Sequence, residues 1–440
     1  AGWCRVSHRD GRTGSVCSRA YPRALDAASR DWLRSLRDKP GSLCDNPDPQ
    51  GRRATTFAYF SAFIGLGLVL ASLGPTIPDL ATRTDSTLSA FSAVFIAHAM
   101  GYLVGALLGG RLFDRFAGHP LLAAMLGLIA ICMVLVPLCP SLAILLVVFT
   151  VMGISEGSLD AGGNTLLVWL YPTGLGPWMN GLHFFFGVGA LLSPLIIAGI
   201  VAQGGSVALA YWVLAALLLP PMLWLLQRPS PPIATHHVNA PVDLRPHRTT
   251  ILLTGGLLFA AVGAEVGFGN WLYTFALHQG LADEAGGRLM TSVFWGAFTV
   301  SRLLAIPLAT RMTPHTMLLL SLLLVGLAAS LPLLFLTTHV QGGSGQIAGI
   351  AGNSVAWLWL TTILGGIAVA PIFATALSLA GSRMPISGRA TGWFFVGSST
   401  GGMTIPWIMG QLFESVSPTA VFWVILVDVL LGVGIWIAIR

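Results

Sequence analysis

Residues 228–249 read RPSPPIATHHVNAPVDLRPHRT, and this stretch divides the chain. Its prolines, histidines and polar side chains make a linker with no packed core. Six apolar runs precede it, at approximately 56–80, 88–112, 120–138, 142–170, 178–201 and 207–226. Six follow it, at approximately 250–278, 286–310, 317–337, 354–380, 388–413 and 419–438. Apolar runs of about 20 residues are long enough to cross a bilayer as helices. Lipid offers the backbone no hydrogen-bond partners, so each run must satisfy itself as a helix; barrel strands would be shorter and would alternate. The sequence therefore predicts an all-α membrane protein with twelve transmembrane helices in two six-helix bundles. The divisions are a basic tail over 1–53, an N-terminal bundle over 54–227, the linker 228–249 and a C-terminal bundle over 250–440.

Composition supports the same class. Of 440 residues, 55% are hydrophobic and 9% charged, where a soluble domain carries about a quarter charged residues. A soluble enzyme, a disordered chain and a nucleic-acid binder built on a basic face are excluded. The net charge of +6 comes mostly from residues 1–53, which hold 11 of the 23 Lys and Arg and 6 of the 17 acids. That tail has no apolar stretch long enough for a signal peptide. It is expected to be a poorly ordered cytoplasmic extension. Arg30, Arg34 and Arg37 with Trp32, Leu33 and Leu36 offer the alternative of a short basic helix on the membrane surface. The five cysteines, Cys4, Cys17, Cys44, Cys132 and Cys139, form neither a metal-ligand pattern nor a disulfide framework.

Arginine placement sets the orientation. With the tail inside, the inside loops hold Arg111, Arg115, Arg228, Arg245, Arg248, Arg311, Arg383 and Arg389, and the outside loops hold Arg83 and Arg288. This asymmetry puts both termini in the cytoplasm, in the inner membrane if the source is bacterial. The halves also repeat. Gly189 and Pro194 in the fifth run recur as Gly401 and Pro406 in the eleventh, and Arg111 recurs as Arg311. Two similar six-helix halves about a central cavity describe a secondary transporter. No phosphate-cradling loop points to ATP drive, and no nucleophile–base pattern points to an enzyme.

The turn Gly110-Arg111-Leu112-Phe113-Asp114-Arg115-Phe116-Ala117-Gly118-His119 resembles the G-x-L-x-D-R-x-G-R/K signature of the major facilitator superfamily. Ala117 stands at the second glycine. The resemblance implies the major facilitator fold, with Gly110, Arg111, Asp114 and Arg115 as a conformational latch that stabilises the outward-open state. Further stretches are Gly74-Pro75-Thr76 with Asp79, Glu156-Gly157-Ser158-Leu159-Asp160 with Asn164, and Asn180-x2-His183 with Phe184 to Phe186. Gly263-Ala264-Glu265 with Gly267 and Trp271, and Phe294-Trp295-Gly296 followed by Ser301-Arg302, complete the set. Together they resemble the fucose permease-like sugar transporters, and more closely the sodium-dependent glucose transporter-like branch. Ser301 departs from the glycine that the branch would carry before Arg302.

A charge at the centre of a membrane helix costs about 2.5–3.5 kcal/mol even on lenient scales, so each one needs a reason. Glu156, Asp160 and Asn164 are spaced by four and are expected on one face of the fourth helix. Glu265 stands in the other half. These acids are expected to bind substrate hydroxyls, to couple to a cation, or both; the structural alternative is that they lock helices together. Arg302 is read either as their positive partner or as a second-half latch. Asn180 and His183, one turn apart, are further candidates for a sugar or a titration. Trp271, Trp295 and Trp393 are expected to line the cavity as sugar-stacking platforms. Asp428 has no evident partner and is read as structural or near an interface.

The expected function is alternating-access transport of a monosaccharide by a monomer in the bilayer, driven by a proton or sodium gradient, with no metal site and no cofactor beyond the coupling ion. No nucleic-acid partner is expected. The alternative is proton-coupled efflux of a drug or small molecule on the same fold; the fifth-span stretch Gly187 to Pro194 matches an efflux motif only in part.

Overall fold

The computed structural model describes residues 49–113, 115–171, 174–231, 245–337, 347–384 and 388–439. The membrane bundle is the unit Arg53–Arg440, distinct from the unit Ala1–Arg52. The tail expected to be poorly ordered, with its alternative helix around 30–37, most of the linker, and Asp114 of the latch lie outside the described residues.

Twelve long helices account for the bundle. In the first half they are α1 Pro49–Leu70, α2 Ala93–Phe113, α3 Gly118–Leu135, α4 Leu142–Leu170, α5 Gly176–Ala202 and α6, in two pieces, Val207–Leu217 and Leu219–Leu226. In the second half they are α7 Arg248–His278, α8 Glu284–Ala309, α9 Pro314–Thr337, α10, in two pieces, Ile347–Val369 and Ile372–Gly381, α11 Gly388–Ser415 and α12 Ala420–Ala438.

Eleven of these, among the described residues, are long and apolar enough to cross a membrane. The exception is α11, whose middle reads Gly397-Ser398-Ser399-Thr400-Gly401-Gly402. Its 28 residues still span about 42 Å at 1.5 Å per residue. It stays between protein surfaces, packed on α7, α2 and α12, so its hydroxyls do not face lipid.

Prolines break the helices where the apolar runs suggested continuity. The first run bends after α1 into a short turn over Gly74–Thr76 and a helix Ile77–Arg83, carrying Pro75 and Pro78. Pro220 and Pro221 follow the break in α6, and Pro371 sits at the break in α10. A proline has no N–H to donate and its ring clashes with the preceding turn.

The two halves are packed alike. In the first, α2 lies on α4; in the second, α8 lies on α10 and α7 on α11. The repeated glycines explain how. A Cβ at Gly189 of α5 would collide with the Ile64 carbonyl of α1, and a Cβ at Gly401 of α11 would collide with the Phe259 carbonyl of α7. The same small-residue contact thus joins the first and fifth helix of each half. Between the halves, α5 packs on α8 and α2 on α11.

Leu252, Val416, Leu430, Val427 and Val147 are each more than 60% exposed. Apolar surface on that scale is what a bilayer covers.

A cluster of hydrogen bonds joins the two halves at the end remote from the linker. There Glu414 accepts from the Leu88 N–H at 2.9 Å and from the Ser89 N–H at 3.1 Å. Gln411 donates to the Ser89 carbonyl at 2.8 Å and to Ser92 Oγ at 3.1 Å, and accepts from the Ser89 hydroxyl at 2.9 Å. Arg288 donates to Asp79 at 3.4 Å and to the Pro75 carbonyl at 3.4 Å, and within its own helix to Glu284 at 2.8 Å. Arg288 is therefore no loop arginine. It is 1% exposed and lies over the Tyr273 ring. These contacts close the distal end. Burial raises the Asp79 carboxyl above its ordinary range, and Arg288 beside it opposes the rise.

Candidate functional site

The site begins with the contact between α2 and α4. Gly101 and Gly105 on α2, and Gly153 and Gly157 on α4, leave no room for a Cβ against the facing backbone. With the helices so close, polar side chains pair across them at a constant offset of 58 residues. His98 Nε2 lies 3.1 Å from Glu156 Oε2, and the Tyr102 hydroxyl donates to Asp160 Oδ2 at 2.5 Å. The Ser158 hydroxyl donates to the Gly105 carbonyl at 3.0 Å.

The two rungs differ in environment. Glu156 is fully buried, and its Oε1 has no hydrogen-bond partner. Asp160 is only partly buried, and Asn164 Nδ2 donates to its Oδ1 and to its backbone carbonyl, both at 2.9 Å. The expected common face of Glu156, Asp160 and Asn164 is thus divided. Asp160 and Asn164 form one unit with Tyr102, and Glu156 turns into the protein against His98. Each four-residue step rotates about 40° around a helix with 3.6 residues per turn, which suffices to seat Glu156 deeper in the same α2–α4 contact than Asp160.

Asp160 faces a charged cluster from the other half. Arg302 on α8 interacts electrostatically with Glu265 on α7 and with Asp160. His183 on α5 also lies within the field of Arg302 and stands edge-on to Phe63. The Arg302 guanidinium sits over the Phe298 ring, 4.3 Å from its centroid. Among the described residues, Arg302 has no carboxylate oxygen within 4 Å, and Glu265 accepts no hydrogen bond. Glu265, Arg302, Asp160, Asn164 and His183 are all partly exposed. Two acids, Asp160 and Glu265, are set against the single Arg302, so the cluster does not suit an anion.

Other candidates stand apart. Trp271 and Trp295 are each 1% exposed and sit in the packed core. Trp271 donates to the Pro406 carbonyl at 3.0 Å and packs on Phe413. Trp295 is enclosed by Phe294 and Phe298. Their large apolar rings are absorbed by helix packing. Trp393 is 58% exposed, and Asn180 is exposed at the start of α5. Gly110 lies in α2 near its end, Arg111 and Arg115 are exposed, and Asp114 is outside the described residues. Asp428 is buried in α12 with neither carboxylate oxygen partnered. Among the described residues, no group of three or more His, Cys, Asp or Glu is arranged to hold a metal.

Tyr102 and His98 escaped the sequence reading. The signal was present: two polar residues four apart inside an apolar run, matching the spacing of Glu156 and Asp160. Only the helix register pairs them.

Comparisons with known proteins agree with this architecture. The Major Facilitator Superfamily model matches residues 54–343. Sodium-dependent glucose transporter 1A of Mus musculus is 29% identical over 394 residues, covering 80% of this chain and 88% of that protein. Sodium-dependent glucose transporter 1 of Homo sapiens is 30% identical, covering 80% of this chain and 72% of that protein. The crystal structure of a D-xylose-proton symporter superposes with a TM-score of 0.68 at 16% identity, over 87% of this chain and 97% of that one. The chain belongs to the Major Facilitator Superfamily, resembles its sodium-dependent glucose transporter-like branch, and is a membrane transporter, not an enzyme.

Proposed function

We propose that the protein moves a monosaccharide across the membrane by alternating access, coupled to a proton or sodium gradient. One observation carries this reading. Acceptors and donors from both halves meet in one cluster: Tyr102, Asp160 and Asn164 from the first, Glu265 and Arg302 from the second. A sugar hydroxyl both donates and accepts. A carboxylate has about four lone-pair sites, and Asp160 uses two on Tyr102 and Asn164. Its remaining sites and all of Glu265 suit hydroxyl donors, while Arg302 suits a ring or hydroxyl oxygen. A substrate bridging both halves favours their closure around it, which is how binding drives alternating access. The relatives' names support a sugar substrate.

On this reading the chain works as a monomer with both termini and the linker in the cytoplasm, and the clamp of Arg288, Gln411 and Glu414 closes the outward end. The test is uptake of a labelled hexose panel into proteoliposomes with a proton gradient, a sodium gradient or none. Gradient-dependent accumulation of a hexose is expected. Failure of every hexose to cross under all conditions overturns the reading, and would favour efflux of a less polar substrate.

A further inference from the structure

We propose that the His98–Glu156 pair is the coupling-ion site, separate from the sugar cluster, and that the ion is a proton. The inference rests on the transport reading above. Glu156 is fully buried, with one carboxylate oxygen on His98 and the other without a partner. A buried carboxylate left half-satisfied is costly unless a proton is bound at the pair. The His98 side chain is 19% exposed, so the imidazole gives the proton a way to the buried carboxylate.

The surroundings disfavour sodium. A hard cation needs several oxygen ligands, and an unbroken helix keeps its backbone carbonyls in its own hydrogen bonds. Both α2 and α4 run unbroken past this pair. The neighbouring hydroxyls of Ser155 and Ser158 are turned onto the Val151 and Gly105 carbonyls. One carboxylate and one imidazole nitrogen make a proton site and a poor cage for a hard cation.

The titratable groups facing the pair are few. From α3, Cys132 lies in the field of Glu156. From α2 and α4, Tyr102 and Asp160 stand one turn away; Tyr102 senses both Glu156 and Glu265. Residues 390–413 of α11, which also packs on α2, contain no titratable side chain. No arginine or lysine is paired with Glu156 among the described residues, so a proton is the charge that can neutralise it. Coupling follows from the ladder. A proton at His98–Glu156 changes the field at Tyr102, which holds Asp160, about 6 Å along the helix. Loaded and empty states therefore bind sugar differently, and by reciprocity sugar changes proton affinity.

The test uses the full chain in proteoliposomes loaded with a pH-sensitive dye. Downhill flux of the transported hexose is measured together with internal pH. In the unaltered protein, sugar influx should acidify the lumen, and a proton gradient alone should drive accumulation. In Glu156→Gln, proton influx per sugar moved should fall roughly tenfold or more. His98→Gln, a second lesion of the same pair, should do likewise. Accumulation driven by sodium without lumen acidification overturns the proton inference and leaves sugar transport standing. Undiminished proton coupling in both variants also overturns it. Loss of all sugar flux in both variants, at equal expression and thermal stability, would assign the pair to the sugar site and overturn a separate ion site. Absence of hexose flux in the unaltered protein would remove the transport reading itself.

Discussion

Arg302 sits over Phe298 with no carboxylate within 4 Å among the described residues, yet within the fields of Glu265 and Asp160. Such a group is poised for a third partner and not locked by an existing one. A charged hydrogen bond is worth about 1.5–3 kcal/mol, or roughly 10–100-fold in affinity. Asp160→Asn should therefore raise the half-saturating hexose concentration by about that factor, read from the concentration dependence of uptake. Glu265→Gln should impair concentrative uptake more than it lowers expression; normal accumulation would remove Glu265 from the mechanism. At the distal end, Arg288 is the most buried charge of the clamp. Its partner Asp79 is partly exposed and Glu284 exposed, so Arg288→Ala should destabilise the closed end by about 1–2 kcal/mol. Labelling of a cysteine replacing the buried Ser92, with a membrane-impermeant thiol reagent, should then quicken. Because burial raises the Asp79 carboxyl, acidification neutralises it earlier than an ordinary aspartate. The same labelling should quicken in the otherwise unaltered clamp as pH falls, and should lose that dependence in Asp79→Asn.

At the scale of elements, the α2–α4 contact decides where the polar ladder stands. Its glycines are needed for close approach, since a Cβ at Gly105 would strike the Ile154 carbonyl. Backbone is the obstacle there, so neither helix can yield without moving the ladder. Gly105→Val should overpack the interface by about 1–3 kcal/mol or more, lowering the melting temperature in detergent and hexose binding together. Gly199→Val on α5, where nothing lies near the added Cβ, is the control and should change neither. The polar composition of α11 belongs to this scale as well. It is tolerated because α7, α2 and α12 surround the helix.

For the whole molecule, twelve crossings put the linker and both ends of the bundle on one face. The arginine bias predicts which face this is. A cysteine replacing Gln227 should react with an impermeant thiol reagent only from the cytoplasmic side, and one replacing Gln203 only from the opposite side. The reverse pattern would invert the topology and with it the assignment of the clamp to the outward end.

Much of this architecture was legible in the chain itself. Runs of about 20 apolar residues in lipid leave the helix as the one conformation that satisfies the backbone, so the all-helical membrane class follows from the apolar pattern. The Gly189 and Gly401 repeat was legible too, and the structure gives it a shared purpose in helix contact. The acids were visible for the same reason: a charge in an apolar run stands out. Their partners were not. Glu156 and Asp160 are one turn apart, but the turn carries about 40° of rotation, and only the packed neighbours decide that one meets His98 in the interior while the other meets Tyr102 beside the cluster. Trp271 and Trp295 sit in apolar runs on all sides, so no periodicity told core from cavity. Arg288 reads as a loop residue in the sequence, and only the fold brings Asp79 and the Pro75 carbonyl, more than 200 positions away, onto it. Hydropathy sets what must be helix and what must avoid lipid; which side chains meet is decided by helix register across close contacts, and that exists only in the folded molecule.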